Sequence, residues 1–497
     1  MTDALVGIDI GTTNVKAVLA TPDGAVLAAD TYSYPTDYPH PGWAEQNPED
    51  WWQGTVATVR GVLRQAQTAN VRVAGIGVSG QGCAVTLIDR AGAVIRPAII
   101  WLDSRSEAQC ERLRRTCGEQ ILRLNGKQPA PYNADPVLMW LAEHEPDAVR
   151  SARCSLTTTG YINFRLTGET IMNVSDASIL FAFDLAREDW SDALISSFGL
   201  PRRLYPPIAP CASVIGRLTA EAADQLGLPA GTPIVAGGED TASAGLAMGV
   251  TSPGQAFLSL GTAGTAYVVQ DAPRAHPDLL LFAHVLSGKT LLGGSMVAFG
   301  GALNACRQWL GATTPFDDFI TLAGQSEPTE SRLIFLPYLS GELQPINDGN
   351  ARGVFFGLSL STTPSQLVRA VLEGTAFAIA HNIKLVEQVG TPITELRAVG
   401  GPTRSSLWCQ IIADVTGYPL AVMQENAGAP LGNALLAGAG VQLVANIAET
   451  AVRNAVTKQT YSPREQYRDW YRQLFDLYQQ LYHQLAGCFA ALAQIVP

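Results

Sequence analysis

Val6-Gly7-Ile8-Asp9-Ile10-Gly11-Thr12-Thr13, running on into Asn14-Val15-Lys16-Ala17-Val18-Leu19, is the stretch whose reading decides the fold. An apolar strand breaks at a Gly/Thr turn and returns as a second strand, with one carboxylate, Asp9, set among Val6, Ile8 and Ile10. Gly261 stands 250 positions after Gly11. Around it Phe257-Leu258-Ser259-Leu260-Gly261-Thr262-Ala263-Gly264 leads into Thr265-Ala266-Tyr267-Val268-Val269, again strand, turn, strand. Short apolar runs bounded by turn residues are strand signals. Two such hairpins, one opening each half, can close on a polyphosphate from opposite sides. That points to an ATP-using, cleft-closing enzyme.

Bulk composition agrees. A chain of 497 residues exceeds the size at which one core keeps growing, so two large domains are expected, 1–249 and 250–497. Apolar residues make up 47% and charged residues 15%, the profile of a folded protein with a sizeable interior. A net charge of −11 without a Lys/Arg run argues against nucleic acid or an anionic membrane as partner. No uninterrupted apolar stretch of about 18 residues appears, so no span is expected. The N-terminus enters a strand after four residues, which leaves no room for a secretion signal. The eight cysteines are scattered without a Cys-x-x-Cys pair, and read as reduced thiols of a cytoplasmic protein. Whether the chain pairs as a homodimer is left open.

Along the chain, strands are expected at 4–10, 15–20 and 25–33, then a helix from Pro48 to about Ala69, capped by Asn47. A strand at 71–79 and a mostly helical stretch at 104–150 follow. Residues 232–238 form a strand that leads into a helix from Thr241 to Met248, and 250–254 join the halves. Strands at 256–260, 265–270 and 290–294 precede helices at 296–310, 365–389 and 405–415. The end is an amphipathic helix, with Tyr467, Tyr471, Leu474, Leu477, Tyr478 and Leu481 at helical spacing. That stripe reads as a face packed on a domain.

Gly353-Val354-Phe355-Phe356-Gly357-Leu358 followed after seven residues by Gln366-Leu367-Val368-Arg369-Ala370-Val371-Leu372-Glu373-Gly374 resembles a signature of the FGGY carbohydrate kinases. Phe335-Leu336-Pro337-Tyr338-Leu339-Ser340-Gly341-Glu342 and Val399-Gly400-Gly401-Pro402 are similar to that family as well. His40-Pro41-Gly42-Trp43-Ala44-Glu45-Gln46, Trp51-Trp52 and Ile100-Trp101-Leu102-Asp103-Ser104-Arg105 look most like its xylulokinase branch. The resemblance implies an α/β fold of two domains, the actin/hexokinase-like ATPase fold with a duplicated ribonuclease H-like core. It also implies ATP-dependent phosphorylation of a sugar hydroxyl, with a sugar and ATP as small-molecule partners. Four positions depart from the pattern. Gly82-Cys83 stand where that branch carries Met-His, Leu343 where Arg is usual, and Val137 where Lys is expected.

An ionised carboxylate within an apolar strand is costly unless something pairs with it. Mg²⁺ held beside ATP phosphates would pair with Asp9; the alternative is a hydrogen bond to Thr12 or Thr13 that fixes the turn. Gly11, Thr12 and Thr13 offer backbone amides and hydroxyls to phosphate, and Gly261, Thr262, Ala263 and Gly264 form the matching cradle. Lys16 either adds positive charge near the transferred group or lies in solvent. Asp240, where a strand ends and a helix begins, is the expected general base; helix capping is the alternative, and Glu239 the rival base. By resemblance, Gln81, Gly82, Cys83, Trp101, Asp103, Arg105, Asp240 and Thr241 reach the sugar. Likewise Gly400, Gly401, Arg404, Gly432 and Asn433 hold the adenosine; tight helix packing is the alternative for Gly432.

Xylulose is the first expected acceptor, with L-xylulose, ribulose, gluconate or a polyol such as erythritol or glycerol as alternatives. Two more distant readings remain, an actin- or chaperone-like ATPase and a sugar sensor that binds without phosphorylating. Gly75-x-Gly77-x-x-Gly80 mimics a dinucleotide fingerprint, but its glycines lie inside a strand with no helix after it.

Overall fold

The computed structural model describes residues 2–66, 71–311, 313, 315–424 and 426–495. Its framework is two mixed sheets, each drawing all its strands from one half of the chain. The first orders Val214–Arg217, Pro233–Val235, Val71–Gly80, Thr2–Ile10, Asn14–Ala20 and Val26–Ser33, with Gly238–Glu239 also paired to Val71–Gly80. The second orders Leu280–Ala283, Thr290–Met296, Gly264–Gln270, Gln255–Leu260, Glu395–Val399, Leu420–Met423 and Thr457–Tyr461.

Both halves follow one plan. Thr2–Ile10 is antiparallel to Asn14–Ala20 and parallel to Val71–Gly80; Gln255–Leu260 is antiparallel to Gly264–Gln270 and parallel to Glu395–Val399. A third antiparallel strand follows each hairpin, and a further parallel strand lies beyond each parallel neighbour. This is the duplicated core of the actin/hexokinase-like fold. The central strands are buried on both faces, which is why they read as nearly continuous apolar runs.

Local signals place the helices well. Asn47 caps Pro48–Gln65, accepting the Glu49 amide, with Pro48 in the first turn where its missing N–H costs nothing. The expected continuation of that helix through 67–69 lies outside the described residues. The long C-terminal helix is Arg468–Ala493, and its aromatic stripe packs on helix Pro364–Gln388, with the Phe377 and Phe475 rings 5.9 Å apart.

The halves are joined by more than the cleft. Helix Ala429–Gly440, from the second half, lies across the first half's sheet. Asn433 Nδ2 donates to the Ile8 carbonyl at 2.8 Å, and a Cβ built on Gly7 or Gly77 would meet the helix backbone. Two glycines of the apparent dinucleotide fingerprint, Gly75 and Gly77, are therefore part of the floor on which this helix rests, while Gly80 faces Thr158. At the other end, Ser175 and Ser178 exchange hydrogen bonds with the backbone of Ala283, tying helix Val174–Ile179 to an edge strand of the second sheet.

Candidate active site

Each hairpin turn is tied by its own backbone. Gly11 donates to the Asn14 carbonyl at 3.0 Å, and the Tyr34 hydroxyl donates to the Gly11 carbonyl. Gly261 donates to Ala263 at 2.8 Å, while Phe299, Gly300 and Gly301 at the start of helix Gly300–Trp309 donate back to Thr262 and Gly261. Gly261, Thr262 and Ala263 stay exposed. Gly264, expected in the phosphate cradle, is instead buried in strand Gly264–Gln270, where a Cβ would stand 2.9 Å from Met296 Cε.

Asp9 and Lys16 are register partners across the first hairpin. Ser79 Oγ donates to Asp9 Oδ1 at 2.7 Å. Burial first, and the Asp240 carboxylate second, push the Asp9 carboxyl up to about 6, against the opposing pull of Ser79 and Lys16. A buried carboxylate that resists ionisation fits a cation bound beside it. Among the described residues no three His, Cys, Asp or Glu side chains gather to hold a metal ion. Mg²⁺ needs no such cage, because it keeps waters and takes phosphate oxygens.

Two cavities meet at Asp240. One, of about 330 Å³, is lined by Asp9, Lys16, Ser259 and Thr265 from both hairpins and by the start of helix Ala429–Gly440. The other, of about 270 Å³, is lined by Thr12, Gly82, Cys83, Trp101, Lys127 and Tyr132 from the first half with Thr265, Tyr267 and Ser295 from the second. Asp240, Thr241 and Thr265 border both. The second cavity lies at the small end of ligand sites, which suits a short polyhydroxy acceptor.

Asp240 opens helix Asp240–Ala247, and Thr241 Oγ1 donates to its Oδ1 at 3.0 Å. The cap of that helix is not Asp240 but Glu239, whose Oε2 accepts the Ala242 amide at 2.8 Å. Burial and the adjoining Asp240 hold the Glu239 carboxyl well above the usual carboxylate range. Its carboxyl is engaged as the cap of the helix that Asp240 opens.

Several expected contacts lie elsewhere. Asp103 is buried, accepting the Ala44 amide at 2.7 Å and a two-point bond from Arg105. Arg105 also pairs with Glu45 and lies 3.7 Å over the Trp43 ring, which leaves only its Nη1 without a partner. The pair braces a loop behind the wall instead of lining the cavity. Gln81 is likewise behind the wall: its Nε2 donates to Gln46 Oε1, and Gln46 Nε2 donates to the Thr12 carbonyl. Trp101 does reach the site, half-exposed, its indole N–H donating to Thr12 Oγ1 at 2.9 Å.

Gly432 and Asn433 both lie in close contacts of helix Ala429–Gly440. Gly432 touches the Ser243 backbone where two helices cross, and Asn433, fully buried, spends its amide on Ile8 and its oxygen on Ser243. Gly400, at φ 109°, turns the chain tightly over Leu260. Gly401–Arg404 then forms a short 3₁₀ turn with Arg404 exposed, and Gly300 lies between Gly261 and Pro402, so this turn and the second hairpin adjoin.

Sequence reasoning missed Lys127, Tyr132, Thr265, Tyr267 and Ser295 as cavity residues. No local motif marks them, since they converge from separate elements. Lys127 Nζ donates to Asn125 Oδ1 at 2.9 Å and to the Ser178 carbonyl at 2.8 Å, and burial pulls its ammonium down to about 7. Cys83 adopts φ 60°, and burial pushes its thiol far up, so it is a neutral, unreactive wall.

A duplicated core of the actin/hexokinase-like fold, with an acidic residue on the border of two cavities lined from both hairpins, is the frame of a phosphotransferase acting on an alcohol group. Residues 4–247 match the N-terminal domain of the FGGY family of carbohydrate kinases and residues 256–441 its C-terminal domain. The chain belongs to that family. It is 33% identical to a xylulose kinase of Escherichia coli (strain K12) over 98% of this chain and 100% of that protein. Among solved structures, a xylulose kinase from Rhodospirillum rubrum aligns with a TM-score of 0.93 at 31% identity, covering 98% of this chain and 100% of that one. A gluconate kinase from Lactobacillus acidophilus aligns at 0.94 and 25% identity, covering 99% and 100%. Sugar kinases of this family use ATP. No helix among the described residues is long and apolar enough to cross a membrane.

Proposed function

We propose that the chain transfers the γ-phosphoryl group of ATP to a hydroxyl of a pentulose, xylulose first among them. The position of Asp240 on the border of both cavities carries this reading. The acceptor occupies the cavity of Gly82, Cys83, Trp101 and Tyr132, and the phosphates lie between the turns 11–13 and 261–263. Gly400, Gly401 and Arg404 adjoin the second turn, on the side where the adenosine extends. Asp240 orients the hydroxyl and takes its proton as the P–O bond forms; Lys16 and the backbone amides offset charge on the phosphoryl oxygens. Mg²⁺ at Asp9, when bound, would neutralise phosphate charge. The sugar contacts come mainly from residues 1–249 and the nucleotide contacts mainly from 250–497, and closure of the cleft excludes water that would hydrolyse ATP.

The buried ammonium of Lys127 in the acceptor cavity favours one second reading, an acidic acceptor such as gluconate. A coupled ADP-release assay across D-xylulose, L-xylulose, ribulose, gluconate, erythritol and glycerol tests both. Turnover with xylulose far above the rest supports the first reading, and preference for gluconate the second. ADP release that no acceptor stimulates overturns both.

A further inference from the structure

Thr265 stands directly opposite Ser259 on one side and Ser295 on the other, across the strands Gln255–Leu260, Gly264–Gln270 and Thr290–Met296. Residues paired in this way point their side chains to one face of a sheet, with Cβ atoms about 4.5–5.5 Å apart. Three hydroxyls therefore form a row across the second sheet. Each belongs to the most exposed residue of its strand. The row follows the seam: Ser259 lines the cavity of Asp9 and Lys16, Ser295 lines that of Cys83 and Tyr132, and Thr265 lines both. Ser295 shares a 3.4 Å hydrogen bond with the Tyr267 hydroxyl. Thr265 Oγ1 is buried without a partner, and among the described residues no other such atom belongs to a residue lining either cavity. A buried hydroxyl left unpaired is costly, and Val has the same shape without it. Packing alone does not call for Thr here.

We propose that Thr265 and Ser295 are acceptor-binding residues supplied by the second half: Thr265 bonds the acceptor at the end shared with the other cavity, and Ser295, together with Tyr267, bonds an oxygen further in. The inference rests on the acceptor occupying the cavity of Cys83 and Tyr132. A hydroxyl both donates and accepts, so it suits substrate hydroxyls, which do the same. Two hydroxyls on neighbouring strands, about 4.8 Å apart, reach two oxygens of one short polyhydroxy chain. Thr265 is part-exposed although its Oγ1 is buried, and a turn about χ1 exchanges the hydroxyl with the group on the open side. Gly82, Cys83, Trp101 and Tyr132 hold the acceptor from the first half. An acceptor bonded by Thr265 and Ser295 as well ties the two halves together across the cleft.

The test compares Thr265→Val and Ser295→Ala, which each remove one hydroxyl, with Thr265→Ser, which keeps it. Acceptor-dependent ADP release with D-xylulose (gluconate should the wild type prefer it) and melting temperature are measured on the full-length protein. Thr265→Val is expected to melt at or above the wild-type temperature, because the hydroxyl it removes has no partner in the protein. Its acceptor kcat/KM is expected to fall about tenfold or more, with the ATP KM within about twofold of wild type. Ser295→Ala is expected to raise the acceptor KM severalfold and leave the ATP KM alone. Thr265→Ser is expected to keep kcat/KM within about threefold of wild type. Wild-type acceptor kcat/KM in either Thr265→Val or Ser295→Ala overturns the proposal. So does a lower melting temperature in Thr265→Val, which makes the hydroxyl a packing group, a loss carried equally by the ATP KM, or a loss that Thr265→Ser shares. Asp240→Asn is run alongside: near-normal turnover there overturns the reading of the site itself, whereas an inactive Asp240→Asn beside an unaffected Thr265→Val overturns the role of the hydroxyl row alone.

Discussion

Asn433 reaches from the second half of the chain to the carbonyl of Ile8, one residue from Asp9, and bonds it at 2.8 Å. The same side chain accepts from Ser243 Oγ at 3.0 Å, three residues past Asp240. One buried amide therefore links the strand that carries the candidate metal residue to the helix that carries the candidate base. Buried polar groups satisfied at both ends stabilise one arrangement, because any other leaves a partner unpaired.

Replacing Asn433 by Ala leaves the Ile8 carbonyl without its donor, and a destabilisation of about 1–3 kcal/mol is expected in denaturant unfolding. Gly432→Ala places a Cβ 2.1 Å from the Ser243 carbonyl oxygen. Overpacking of this kind costs about 1–3 kcal/mol, and turnover should fall as well because the helix bearing Asp240 is displaced. Unchanged stability of both variants would show that the helix crossing slides freely.

Asp240→Asn keeps size and the bond from Thr241 but cannot take a proton. Turnover should drop by about 10²–10⁴-fold, with the KM values for acceptor and ATP little altered. Steady-state kinetics settles it: a loss confined to KM would assign Asp240 to binding.

Asp9 must be ionised to meet a cation, and its carboxyl is held up at about 6. As pH falls through about 6 it takes up a proton, so kcat/KM should decline there. Higher Mg²⁺ should move the decline to lower pH, since the cation competes with the proton. A decline indifferent to Mg²⁺ concentration would remove Asp9 from the metal.

Asp176 is buried, and burial pushes its carboxyl up to about 7. The folded state binds this proton more tightly than the unfolded chain does. The resulting stability is complete below about pH 4 and is lost as pH rises through about 7, on the order of 4 kcal/mol in all. Unfolding free energies measured at pH 5 and pH 8 should differ less in Asp176→Asn than in the wild type.

Gly82 leaves room in the acceptor cavity; a Cβ there would stand 3.0 Å from Ile179 Cδ1 and 4.0 Å from Glu239 Oε1. Gly82→Leu should raise the acceptor KM severalfold and leave the ATP KM near wild type. Equal rises in both would indicate a displaced hairpin instead of a filled pocket.

What could be read without a structure was what neighbours along the chain decide. The hairpins around Gly11 and Gly261, the helix started by Asn47 and Pro48, and the strand-to-helix turn at Asp240 are set by local propensity, capping and turn chemistry, and the duplication follows from their repetition. The pairing of Asp103 with Arg105 could not be read, because their spacing is the same whether they face a sugar or each other. Only the folded loop shows Glu45, Ala44 and Trp43 closing around them. The packing of Gly432 and Asn433 was hidden for the same reason, since nothing within helix Ala429–Gly440 reveals that it lies on a strand more than 400 positions earlier.

The amino-acid order by itself determined the family, the paired Gly/Thr hairpin turns and the acidic residue where a strand meets a helix, since each is written in contiguous residues. Tertiary structure alone decided which side chains line the acceptor cavity, that Glu239 caps the helix beside Asp240, and that a helix from one half binds the other's sheet. Those outcomes depend on burial and close contact between distant segments, which change the energy of a residue without changing its neighbours in sequence.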